Sequence, residues 1–167
     1  SSVQPDGLMT KLMGQNMMRK DGEDHKAERR TIFPTVSPKT AQKVWKQKFI
    51  DHTKSILESL SDQDLIDVVN EFAKPVSAQA LKSVTGLTNM TWQEMDRVSQ
   101  GMIDGCANYL GDSIVEKNCF DCTRSIDNHI QERMEQDLGS DPSLLSVFAS
   151  VNEKSETISA NIKLAIS

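Results

Sequence analysis

The stretch Asp21-Gly22-Glu23-Asp24-His25-Lys26-Ala27-Glu28-Arg29-Arg30, followed at a short distance by Ser37-Pro38, decides how the rest of the chain is read. Asp21 suits an N-cap, and Asp24 three places on is a capping-box-like partner. A basic amphipathic helix is expected from there to about Phe33, limited by Pro34, whose ring and missing N–H oppose a helix interior. His25 and Arg29 are four apart and so share a helix face. Two such donors can grip carboxylates or phosphates, with Arg offering a bidentate fork. Taken by itself, this spacing is more often a plain solvated face. Ser37-Pro38 then restarts the helix, with Ser as cap and Pro at the first helical position.

Outward from this block the pattern is helical almost throughout. Ala41 to Leu60 carries Trp45, Phe49, Ile56 and Leu60 at helical spacing. Leu65-Ile66-Asp67-Val68-Val69 reads either as a short strand or as the lead-in to the next helix. A helix from about Pro75 to Val84 should turn Val76, Ala80 and Val84 inward and close at Gly86. Thr91 should cap a helix to about Tyr109, in which Gly101 and Gly105 permit close approach or a kink. A helix over 113–138, a short one opened by Asp141-Pro142, and a last one from about Glu153 complete the chain. Residues 1–20 start as a loop, with one short helix face from Leu8, Leu12, Met9 and Met13.

Composition narrows the function classes. The chain of 167 residues can bury a sizeable core. With 37% hydrophobic and 26% charged residues it reads as soluble and globular, and a net charge of -5 argues against a nucleic-acid partner. No stretch approaches a membrane span, and the first residues have no signal-peptide pattern. The three cysteines, Cys106, Cys119 and Cys122, do not suggest a disulfide scaffold, so a cytoplasmic setting is expected. Cys119-Phe120-Asp121-Cys122 is a lone Cys-x-x-Cys, better read as small helix residues than as a zinc site. No metal site, P-loop, Rossmann glycine motif or catalytic triad is present.

The order of these features resembles the soluble, bacterial-type cytochromes P-450, which are haem-thiolate monooxygenases. Many of them carry Asp-Pro-Pro-x-His-x-x-x-Arg-Arg and then Phe-Thr/Ser-Pro. Asp21, His25, Arg29, Arg30 and Ser37-Pro38 fall in that register without gaps, although Gly22-Glu23 replaces Pro-Pro and Val36 stands where Phe is common. The resemblance implies that His25 and Arg29 bind the haem propionates. It implies that Lys26 and Arg30 lie on the surface where a ferredoxin or reductase docks. Met13, Met17, Met95 and Met102 would then face a small apolar substrate, with core packing as the plainer reading of the same methionines.

The implied fold is mainly α, an incomplete P-450 fold running through the middle helices to the start of the long central helix. It divides into a distal-pocket loop (1–20), the propionate-binding helix and turn (21–40), middle helices (41–90), pocket-roof helices (91–138), and a short helix with the start of the central helix (139–167). With no initiator Met and a last segment that stops in an apolar run, a piece of a longer protein is expected. None of the three cysteines has the setting of the family's axial iron ligand. Neither Glu28 nor Glu132 has an Arg three places on, so the family's Glu-x-x-Arg motif is expected to be absent. The parent would insert oxygen from dioxygen into its substrate. The piece alone should be inactive and could self-associate through an exposed apolar face. The rival reading is a non-enzymatic helical regulatory or partner-binding domain.

Overall fold

Several helix starts in this chain follow short polar side chains, at Ser37, Thr91, Asp112 and Ser143. The computed structural model describes residues 8–167, with side chains from Thr10 onward. The expected loop over the first seven residues and the Met9 side chain lie outside what is described. Nine α-helices are present among the described residues, and no strand. They are α1 (Leu8–Met13), α2 (Gly22–Val36), α3 (Pro38–Thr40), α4 (Lys46–Leu60), α5 (Lys74–Thr85), α6 (Trp92–Cys106), α7 (Ser113–Met134), α8 (Leu144–Ser150) and α9 (Ser155–Ile166). A 3-10 turn spans Met17–Arg19, and wider π turns span Ala41–Trp45 and Val68–Ala73.

The caps are direct. Ser37 Oγ accepts from Thr40 N at 3.1 Å, Thr91 Oγ1 from Glu94 N at 3.1 Å, and Asp112 Oδ1 from Ile114 N at 2.8 Å. Each such bond satisfies an N–H that the helix cannot, and contributes about 1 kcal/mol. Gly86 closes α5 at φ +87°, and a Cβ there would also meet Ser143 Oγ at 2.6 Å. Asp67 caps the turn that leads into α5, so the segment around Leu65 is a helix lead-in rather than a strand.

Four expectations are corrected. Asp21 sits at the N-cap position of α2, but its side chain makes no capping hydrogen bond. Pro34 does not end α2, which runs on to Val36. Two side chains take up carbonyls at that end: Thr40 Oγ1 donates to Pro34 O at 2.6 Å and Trp45 Nε1 to Thr35 O at 2.7 Å. The innermost residues of α5 are Pro75, Ala78 and Thr85, not Val76, Ala80 and Val84, because α5 packs against α4, α6 and α9 at once. Helices α6 and α7 stop short of Tyr109 and 138, at Cys106 and Met134.

The core centres on α6. Met95, Val98 and Met102 are fully buried there, against Cys119, Cys122 and Ile126 of α7, Ile158 and Ile162 of α9, and Leu145 and Phe148 of α8. Burying one such side chain is worth about 1.5–3 kcal/mol. Gly101 and Gly105 bring α6 and α7 close. A Cβ on Gly101 would stand 2.4 Å from Cys122 Sγ, and one on Gly105 2.3 Å from Cys119 Sγ. The pair therefore serves close approach, and the two thiols fill the space that the glycines leave.

Candidate functional site

Helix α2 is sided by its own sequence. Glu28, Ile32 and Thr35, at spacings of four and three, form its buried stripe. His25 lies at the edge of that stripe, half-buried, and Arg29 lies one turn further on, exposed. Their Cβ directions differ by about 40° around the helix, so both address the same side. No side-chain hydrogen bond or ion pair joins either of them to a described residue.

The carboxylate nearest in sequence is not available to Arg29. Glu28 is buried and turned inward, where it is ion-paired with Lys20 and accepts from Asn161 Nδ2 at 3.0 Å. Lys26 pairs with Glu23 at 2.7 Å on the surface, and Arg30 is exposed. Phe33 and Val36, four and seven residues beyond Arg29, are 55% and 60% exposed. The uncovered side of α2 is thus an arginine and a histidine at one end and two apolar side chains at the other. Such a face offers nitrogen donors beside an exposed apolar surface.

The four methionines are placed differently. Met95 and Met102 are fully buried in the core, Met13 is buried beside them, and Met17 packs on the core from the 3-10 turn. Met18 and Ile103 are exposed. The cavities at α7–α9, at Arg133, along α7 and between α4 and α5 are lined by none of these methionines, nor by His25 or Arg29.

The cysteines bear on whether this chain could hold a haem iron. Burial pushes the Cys119 thiol up to about 11 and raises Cys122, whose neighbour Arg97 only partly offsets that. Burial likewise raises Cys106. Thiols kept protonated between two packed helices are poor axial ligands, because a thiolate is the ligating form. The three thiols thus stay protonated at neutral pH, and Cys119 and Cys122 act as packing side chains between α6 and α7. No group of three or more His, Cys, Asp and Glu suited to a metal ion is present among the described residues.

One pair escapes a reading confined to Glu28 and Glu132. The Glu-x-x-Arg spacing does occur, at Glu94 and Arg97, and the guanidinium grips the carboxylate through Nε and Nη2, both at 2.7 Å. Ser125 Oγ also donates to Glu94, at 2.5 Å, which ties α6 to α7. The arginine and serine bonds hold the Glu94 carboxyl below its usual range. The spacing three apart was the available signal.

No family model matches the chain. No helix among the described residues is long and apolar enough to cross a membrane.

Proposed function

We propose that this chain is part of a haem-dependent monooxygenase of the cytochrome P-450 type. The observation that carries the reading is the His25–Arg29 face of α2: two nitrogen donors one turn apart, Arg29 with no carboxylate partner among the described residues, beside exposed Phe33 and Val36. In this reading His25 and Arg29 hold the two haem propionates, and Phe33 and Val36 lie near the macrocycle's side of the helix. Haem, when bound, supplies oxygen activation and electron transfer at its iron. The chain's own part is to neutralise and orient the cofactor's acidic edge.

Lys26 and Arg30, exposed on the same helix, are the residues assigned to docking a ferredoxin or reductase. Met13, Met17, Met95 and Met102 are assigned to the packing around a small apolar substrate, which for Met95 and Met102 acts through the core rather than by open contact. Cytoplasmic location and self-association through exposed apolar side chains belong to the same proposal. The rival, a self-contained helical regulatory or partner-binding domain, is favoured by one observation: α1, α2 and α5 to α9 share one continuous buried core.

The test is an optical titration of the chain with ferric haem, followed by reduction under carbon monoxide. The reading expects haem binding without the red-shifted band of a thiolate-ligated iron. A thiolate-type band would overturn the assignment of the cysteines as packing residues. Absence of any saturable haem binding would favour the partner-binding domain.

A further inference from the structure

Arg133 is buried to 9% exposure, yet no carboxylate is bound to it among the described residues. Its Nε donates to Thr88 Oγ1 at 2.9 Å and its Nη1 to the Asp137 carbonyl at 2.8 Å, both neutral acceptors. A guanidinium has five N–H donors, so three remain. The end of α7 gives it partial negative charge, but a nearly buried cation normally has a full counter-charge. The spare N–H groups are not sealed in protein, and the open space that Arg133 lines is a cavity of about 320 Å³ between α4, α5, the end of α7 and the segment before α8.

Much of the remaining wall is polar. Lys48, His52, Ser83, Thr88 and Ser143 line the same cavity. Ser83 Oγ donates to Gln79 O at 3.1 Å and lies 3.1 Å from His52 Nε2, and Ser143 Oγ donates to Ser146 Oγ at 3.2 Å, so these hydroxyls would serve a ligand by exchanging those bonds. Two carboxylates are also present. Asp141 is neutralised by Lys48 at 2.7 Å, and Asp51 is exposed at the rim, where Gln47 donates to it at 2.8 Å. The buried charge left without a partner is therefore positive, and hydroxyls surround it.

We propose that this cavity binds a phosphate-type oxyanion, either the free ion or a small phosphate monoester, with Arg133 as its principal ligand. The inference is independent of the haem reading, since it uses none of the residues of the α2 face. Arginine fits tetrahedral oxyanions through paired N–H groups, and serine and threonine hydroxyls complete such sites.

The test is a titration of the chain with inorganic phosphate and, in parallel, glycerol phosphate, at constant ionic strength against chloride. The Arg133 Nε–H resonance and the amides of 83–88 and 141–143 are followed. A saturable shift confined to these groups is expected, and the tighter of the two ligands tells a free-ion site from a monoester site. Arg133→Gln should weaken binding about tenfold or more, the worth of one charged hydrogen bond. Ser83→Ala, with a smaller expected loss, serves if the first variant does not fold. A linear, non-saturating response at the wild-type Arg133 resonance would overturn the proposal, as would an unchanged isotherm in folded Arg133→Gln.

Discussion

Asn161 joins three segments through one side chain: its Nδ2 donates to Glu28 Oε2 at 3.0 Å, across 133 positions of sequence, while its Oδ1 accepts from Met17 N at 3.1 Å. Asn161 and Glu28 are both buried, so these bonds are made away from competing water. They set how α2 lies on α9, and hence which face of α2 is left outside.

Asn161→Ala should therefore cost about 2–4 kcal/mol, because it strands a buried carboxylate oxygen and a backbone N–H together. Urea denaturation of the two proteins measures this. A loss under about 0.5 kcal/mol would show that α2 is held by apolar packing alone.

The glycine contacts predict a contrast. Gly101→Ala pushes a methyl into Cys122 Sγ, 2.4 Å away, and should cost about 1–3 kcal/mol despite the helix propensity gained. Adding Cys122→Ala should recover most of that loss. Gly105→Ala should not be recovered by Cys119→Ala, because the Cys119 Cβ itself stands 2.7 Å away. Thermal melts of the two double-variant sets check this, and equal recovery would contradict the packing described.

Cys119 links stability to alkaline pH. Its thiol is raised by burial from the ordinary 9.0 to about 11, so the folded state keeps a proton that the unfolded chain loses. The stabilisation is complete below about pH 9 and is lost as pH rises toward about 11. Alkylation at pH 8 should modify half-buried Cys106 first, with Cys119 and Cys122 reacting only on unfolding. Rapid labelling of Cys119 in the folded chain would contradict this.

The Glu94–Arg97 pair acts at the other end of the scale. The Glu94 carboxyl is depressed chiefly by the Arg97 bond, so its contribution is present above the ordinary 4.5 and is lost as pH falls through the lowered folded value. Both groups are partly exposed, which limits the effect to about 1 kcal/mol or less. Glu94→Gln should flatten the acid limb of a stability-versus-pH curve by that amount. An unchanged acid limb would place the dependence elsewhere.

Much of the helical framework is legible in the sequence because its caps are local. Ser37, Gly86 and Thr91 act on N–H and C=O groups only a few residues away, whereas the cap at Asp67 was hidden in a run that also read as a strand. The errors arise where distant residues decide. Helix α2 passes Pro34, with Thr40 and Trp45 taking carbonyls at its end. Helix α5 has neighbours on several sides, so no single stripe marks its inner face. Of the α2 face, the shared side of His25 and Arg29 follows from spacing alone. That Glu28 would turn inward to Asn161, leaving Arg29 without its nearest carboxylate, depends on a residue far along the chain. The cavity at Arg133 has the same origin, since α4, α5 and α7 contribute its walls.

The most direct test of the α2 assignment compares the affinity of the chain for free-acid haem and for its dimethyl ester, in the wild type and in Arg29→Ala. Arg29 is exposed, so the substitution should leave the fold intact. The account predicts that the wild type prefers the free acid by about tenfold or more, as expected for charged hydrogen bonds to the propionates, and that Arg29→Ala removes most of that preference. Equal affinity for acid and ester in the wild type, or an unchanged preference in the variant, would contradict it.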